Sequence, residues 1–309
     1  MAQARVIVFG YGELALAALE LLASLGVTPV AVVIPGNRSG NDVDMVAAYT
    51  RAKSLRLLVQ PPRARIALLL AQVRALAPDL LFVWSYSMLL PPELLALAPR
   101  GAVNLHGGLL PEYRGGHVMN WAIANGETET GATLAYLDDG IDTGPVIAQG
   151  RFAIEPDDDA ASLRAKLKIT GVALIQEWWP AIADGSAPAI AQDESKARYY
   201  RMRTADDGLI DWARSNTDIV NLVRALVSPW PGAFFMIGRT RTVVRRAVAE
   251  ATTASAAPGT VVSLDADGVR VATGHGDVRL LSLELDGRAA RLPELRALGM
   301  TEGSRLAAS

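Results

Sequence analysis

Along the first two-thirds of the chain, short apolar runs rich in β-branched residues alternate with longer stretches whose apolar positions recur every three or four residues. RVIVF predicts a strand, and ELALAALELLASLG a helix that Gly26 stops as a C-cap. VTPVAVVI is the next strand, VDMVAAYTRAKS a helix, LRLLVQ a strand, ARIALLLAQVRAL a helix and DLLFVW a strand. GAVNLH continues the sheet, HVMNWAIAN is a helix, and GATLAYL and GPVIAQGRFAI predict two further strands. DDAASLRAKLKITGVALIQEWWPAIADG predicts a long amphipathic helix ending at Gly185. Strands apolar along their whole length and separated by helices predict an α/β fold, a Rossmann-like parallel sheet covered on both faces.

The pattern then changes. SAPAIAQDESKARYYRMRTADDG is polar and without period, which predicts an inter-domain linker. From about Ile210 a helix, NTDIVNLVRALV, leads through SPWPGAFF into short strands: FFMIG, RTVVRRAV, GTVVSL, GVRVAT and DVRLLSLEL. Short strands at close spacing with Asp-Gly turns predict a small β-barrel, and the Ala-rich AEATTASAAPG a flexible loop within it. The expected organisation is a first domain over 1–188, a linker over 189–206 and a second domain over 207–309.

With 309 residues, half of them hydrophobic and a fifth charged, the chain can bury two ordinary cores. A formal net charge of -2 provides no field for steering polyanions, although a local basic patch stays open. The absence of cysteine excludes disulfides, thiolate metal sites and a cysteine nucleophile, and fits a cytoplasmic location. The run from Leu14 to Leu25 falls short of the ~20 residues needed to span a bilayer, and the first residues lack the pattern of a signal peptide. No membrane association is therefore expected. Imidazole chemistry is confined to His106, His117 and His275.

Gly10 to Ala15 reads G-x-G-x-x-A between a strand and a helix. A dinucleotide site also needs an acidic residue at the end of the second strand, where Ile34 and Pro35 stand instead. Asp42 and Asp44 come only after a Gly-rich turn. The loop is better read as a tight strand-to-helix turn. Gly10, Tyr11 and Gly12 could there present a helix N-terminus to an anionic group of a substrate.

The chemically informative stretch runs from Gly101 to Gln149. Asn104 and His106 alternate on one strand, so both side chains leave the same face, at the strand end where open α/β sheets build their sites. Asp142 follows in the Gly-flanked turn DDGIDTG. An amide N–H can stabilise an oxyanion, an imidazole can move a proton at neutral pH, and a carboxylate can orient that imidazole. On spacing alone, a lone Asn-x-His at a strand end is more often a structural hydrogen-bonded pair than a catalytic one. The acidic turn also starts like a calcium loop, but lacks the downstream bidentate Glu.

NLHGGLLPEYRGG together with Asp142 in DDGIDTG resembles the folate-dependent formyltransferases, whose Asp stands 38 residues after the Asn, as 142 − 104 = 38 here. Gly108 departs from the family, which usually has Ser there. The resemblance implies catalysis by Asn104, His106 and Asp142, with N10-formyltetrahydrofolate as formyl donor and no metal. LAPDLLFVWSYSMLLPPELL resembles the family's folate segment, which implies that Ser87, Met88, Leu89 and Leu90 hold the pteridine. Backbone from Tyr136 through Asp138, Asp139 and Gly140 would close its other side. GLIDW and RALVSPWPGAFF resemble the C-terminal, OB-like domain of methionyl-tRNA and aminosugar formyltransferases.

The acceptor amine is the open question. The tRNA enzymes of the family carry a basic insertion after the second strand, whereas PGNRSGNDVDM has one Arg and two Asp. Arg239, Arg241, Arg245 and Arg246 are a possible grip on nucleic acid, though a solvated strand face explains them better. LLPEYRGGHVMNWAIANGETETGATL is more similar to the enzymes that formylate 4-aminosugars on nucleotide carriers, such as UDP-4-amino-4-deoxy-arabinose. The likeness implies a nucleotide-linked aminosugar as substrate. The candidate contacts are Arg114, on a phosphate or hydroxyl or else paired with Glu112 or a nearby carboxylate, and His117, facing the acceptor or else at the surface at a helix start. A THxDNP-like loop of the arabinose enzyme is missing here, so the sugar stays open. Methionyl-tRNA and hydroxyornithine remain the alternatives, and a homodimer is left open.

Overall fold

A computed structural model describes residues 4–251 and 256–306; residues 252–255 of the Ala-rich loop lie outside the described residues. The predicted alternation is present as β1 (Val6–Gly10), α1 (Gly12–Ser24), β2 (Ala31–Pro35), α2 (Asn41–Ala52), β3 (Leu57–Gln60), α3 (Ala67–Ala75) and β4 (Leu80–Trp84). It continues with α4 (Pro92–Leu95), β5 (Ala102–His106), β6 (Arg114–Gly115), α5 (Val118–Ala124), β7 (Glu129–Tyr136), β8 (Val146–Ala153), the long α6 (Ala160–Asp184) and β9 (Tyr199–Tyr200).

Seven of these strands form one sheet in the order β3-β2-β1-β4-β5-β7-β8. The first five run parallel, and β7 enters antiparallel to β5. β1, β2 and β4 are buried at every position, which explains apolar runs without alternation: both faces are covered. The strand order reverses between β1 and β4, and their loops meet there, with the Tyr11 N–H donating to the Ser85 carbonyl at 3.0 Å. At Gly10 a Cβ would stand 2.5 Å from that of Ala15 and 2.6 Å from the Trp84 carbonyl oxygen. Close packing of strand against helix thus accounts for the first glycine and the alanine of the G-x-G-x-x-A pattern.

The chain divides into two compact units that interleave along the sequence. The first comprises Met1–Gly115, Thr130–Phe152 and Ala165–Tyr200; the second comprises Gly116–Glu129, Ala153–Arg164 and Arg201–Ser309. Segments 116–129 and 153–164, expected within the first domain, cluster with the second. The first part of the expected linker likewise has a fixed place in the first unit. Ile190 bridges Val146, and β9 pairs in parallel with β6.

The second unit carries α7 (Asn216–Ala225), β10 (Ala233–Ile237), β11 (Thr240–Glu250), β12 (Val261–Asp265), β13 (Gly268–Ala272), β14 (Asp277–Leu285), β15 (Arg288–Ala289) and α8 (Leu292–Ala297). Its strands form an antiparallel sheet in the order β10-β11-β14-β13-β12, with β15 on β14. Trp212 and Phe235 meet edge to face at 5.5 Å between centroids inside its core. α7 starts on a capping box formed by Ser215 and Asp218.

Candidate active site

Asn104 and His106 lie in β5 on the same side, between β4 and β7, with Asn104 opposite Val83 and Ala135 and His106 opposite Thr133. After His106 the backbone leaves the sheet, and loop 107–111 is fastened by one hydroxyl. Thr133 Oγ1 donates to the Gly108 carbonyl at 2.7 Å and accepts from the Leu110 N–H at 3.2 Å and the Gln149 amide at 3.1 Å.

His106 is buried, and its two ring nitrogens have different neighbours. Nε2 donates to the Tyr113 carbonyl at 2.6 Å, because a carbonyl can only accept. Nδ1 stands 3.5 Å from Asp142 Oδ2. Asp142 occupies the left-handed region at φ 54°, where Asp is more tolerated than most residues. Its Oδ2 also accepts from the Gly115 N–H at 2.8 Å. The structure thus brings His106 and Asp142 together across 36 residues, on the face where Asn104, half-buried, emerges.

The segment after β4 is pinned to the loop that follows β2 and to β3. Ser87 Oγ donates to Asn37 Oδ1 at 2.8 Å, Gln60 Nε2 donates to the Leu89 carbonyl at 2.9 Å, and the Tyr86 hydroxyl donates to Gln60 Oε1 at 2.9 Å. Burial pushes the Tyr86 and Tyr136 hydroxyls up, so both stay neutral. Ser87, Met88 and Leu89 line a cavity of about 350 Å³ with Asn37, Gln60 and Arg63. The Leu89 side chain is 74% exposed, whereas Leu90 packs on the core. An apolar side chain in the open beside a polar-rimmed cavity suits a flat heteroaromatic ring with amide substituents. In the turn after β7, Asp138 Oδ1 accepts from the Gly140 N–H at 3.0 Å and the Thr143 hydroxyl at 2.5 Å; Asp139 is exposed.

Two expected substrate contacts have partners within the protein. Arg114 is fully buried, and all five of its N–H donors are engaged: two on Gln192 Oε1, two on Glu194 and one on the Tyr199 hydroxyl. Its hydrogen bonds to the Glu194 carboxylate hold the guanidinium above its ordinary value. The guanidinium is therefore committed within the protein rather than presented to a phosphate. His117 belongs to the second unit, caps α5 from a left-handed conformation, and accepts the Arg203 N–H on Nδ1 at 3.0 Å. Gly12 and Tyr11 do stand at the start of α1, with the Arg38 guanidinium 5.6 Å from the Tyr11 ring centroid. Gln192 and Glu194 were not singled out from the sequence; two adjacent tyrosines in a polar stretch were the only sign that this segment docks.

Residues 19–177 match the formyl transferase family, and residues 203–294 match the formyl transferase C-terminal domain. The methionyl-tRNA formyltransferase of Myxococcus xanthus is 35% identical over 310 residues, which is 99% of this chain and 97% of the relative. Among solved structures, the sugar 3N-formyl transferase WlaRD, determined with dTDP and 5-N-formyl-THF, superposes with a TM-score of 0.72 at 16% identity, covering 93% of this chain and all of that one. The N-formyltransferase from Helicobacter canadensis, in complex with folinic acid and dTDP-3-aminofucose, gives a TM-score of 0.72 at 18% identity, over 90% of this chain and 99% of the other.

Proposed function

The chain belongs to the folate-dependent formyltransferase family, and we propose that it passes the formyl group to a small-molecule amine through Asn104, His106 and Asp142. N10-formyltetrahydrofolate supplies the formyl group when bound beside the Ser87–Leu90 segment and the Tyr136–Gly140 turn. The neutral amine attacks the formyl carbon, the new C–N bond forms, and the bond to N10 breaks. The Asn104 carboxamide donates to the formyl oxygen as charge grows there. His106 Nδ1 accepts the proton that the attacking nitrogen loses and returns it towards N10. Asp142, 3.5 Å away, stabilises the imidazolium in between. Holding donor and amine in line supplies much of the remaining acceleration.

A nucleotide-linked aminosugar is our first choice of acceptor. The observation that carries it is the connection between β2 and α2: five residues, 36–40, with Arg38 as their only cation. Binding a tRNA acceptor arm rests on many such contacts. Methionyl-tRNA is the second reading, favoured by the 35% identity to a methionyl-tRNA formyltransferase along the whole chain. The test is tetrahydrofolate release with UDP- and dTDP-4-aminosugars, hydroxyornithine and methionyl-tRNA offered side by side. Turnover with an aminosugar nucleotide supports the first reading; turnover with methionyl-tRNA alone replaces it by the second.

A further inference from the structure

Asp142 is held at both of its ends, at the carboxylate from within the motif and at the backbone from outside it. Its carboxylate accepts the Gly115 N–H at 2.8 Å, and its backbone carbonyl accepts from Gln192 Nε2 at 2.9 Å. The second N–H of the same amide donates to the Gly144 carbonyl at 2.7 Å. On the other side of that amide, Gln192 Oε1 accepts from Arg114 Nε at 3.1 Å and Nη2 at 2.8 Å. The carboxamide therefore uses two donors and two lone pairs, its full capacity, and only one of its two orientations satisfies them. Arg114 adds two bonds to Glu194, at 2.9 and 2.6 Å, and one to Tyr199 at 2.7 Å.

The network closes on itself. Arg114 immediately precedes Gly115, whose N–H faces the Asp142 carboxylate, so one anchored guanidinium locates that donor and, through Gln192, the Asp142 carbonyl. The pairing of β6 with β9 and the stacking of Tyr113 on Tyr200, 4.7 Å between centroids and 6° between planes, fix both strands around it. A left-handed aspartate departs from the preferred conformation and persists where its surroundings over-determine it. A fully satisfied polar network does this more rigidly than isolated contacts.

We propose that Gln192, held by Arg114 and Glu194, is a positioning residue for the reaction: it keeps the Asp142 carboxylate against His106 Nδ1. This rests on the assignment of His106 and Asp142 above. The discriminating variant is Gln192→Glu. It preserves the acceptor towards Arg114 and replaces the two donors towards 142 and 144 with an oxygen facing two carbonyl oxygens. Gln192→Ser, which leaves room for water, is the second variant should the first not fold.

Both are measured as kcat per folate site, the sites being counted by titration with unreactive 5-formyltetrahydrofolate. The acceptor is the one that turns over in the screen, or water, with formate release as readout, if none does. The expected result is a loss of about 10²-fold in kcat, as an ångström-scale misplacement produces. KM for the donor should stay within about threefold and the Gly115 amide should exchange faster, because its acceptor has moved. An unchanged kcat per site in a folded variant, whatever its melting temperature, overturns the proposal. So does a loss of folate sites or a rise in KM that accounts for the whole effect. Near-normal turnover by His106→Ala and Asp142→Asn would instead sink the catalytic assignment, while the Gly115 exchange would still report whether Gln192 holds Asp142.

Discussion

Replacing Thr133 by Val isolates what fastens the loop that follows His106. The two side chains have the same shape, so no cavity opens and the fully buried site keeps its packing. What disappears is a hydroxyl whose one donor and two acceptor positions are all in use, on Gly108, Leu110 and Gln149. The Gln149 amide retains the Leu110 carbonyl at 2.8 Å and is only half-buried, so its loss is small. The Leu110 N–H and the Gly108 carbonyl lose the partner they have on Thr133, and stranding a buried polar group costs about 1–3 kcal/mol. A methyl in place of the hydroxyl returns about 1 kcal/mol of apolar burial. The net expectation is a destabilisation of about 3 kcal/mol, which lowers Tm by about 6 to 12 °C in a unit of this size. Scanning calorimetry on the wild type and Thr133→Val, read on the transition of the first unit, measures it. A shift under about 2 °C would refute the reasoning, since the loop's polar groups would then have to find water without cost.

Three other expectations follow from the same geometry. In Gly115→Ala the new Cβ would stand 2.1 Å from the Tyr200 carbonyl oxygen, at a φ of +99° that L-residues avoid. Denaturant melts should show a loss of about 2–4 kcal/mol, with kcat falling because the donor to Asp142 moves. His106→Ala and Asp142→Asn should each abolish tetrahydrofolate release while leaving the circular dichroism spectrum of a folded protein; a rate near wild type in either would refute the mechanism. Hydrogen bonds from Arg201 and then Thr204 hold the Asp207 carboxyl well below the usual carboxylate range. That stability is fully present above the unfolded carboxyl's pKa of about 3.9 and is lost as pH falls from there towards the lower folded value. Melting curves between pH 7 and pH 2 should therefore drop more steeply for wild type than for Asp207→Asn.

The parts of this protein that were legible in the sequence are those whose cause is local. Strands buried on both faces have to be apolar throughout, so β1, β2 and β4 stand out without any partner being known. Asn104 and His106 share a face because two residues separate them on one strand. Asp142 was a different matter: residue chemistry suggested it and the family's spacing picked it out, but no local pattern could, since its position depends on β7 folding back beside β5. Arg114 shows where reasoning by residue type fails. An arginine after a catalytic loop looks like a phosphate ligand, yet burial and five internal hydrogen bonds commit it to the scaffold.

The segment read as a linker failed for the same reason in reverse. Residues 190–200 have no apolar period because they present no apolar face to a core; most of them stay exposed and are held by hydrogen bonds. Their order comes from a two-residue strand, an isolated bridge and the saturated amide of Gln192. Such order is invisible until the partners, 78 and 80 residues away in sequence, are in place. The chemistry and its support are thus encoded at different ranges. The reacting groups sit in a short, recognisable motif, while the groups that aim them come from a stretch that composition alone would discard. Substituting the motif should remove the chemical step; substituting the distant amide should leave binding intact and blur the geometry. The ratio of those two effects on kcat, at constant folate affinity, measures how much of the rate depends on aim rather than on the presence of the groups.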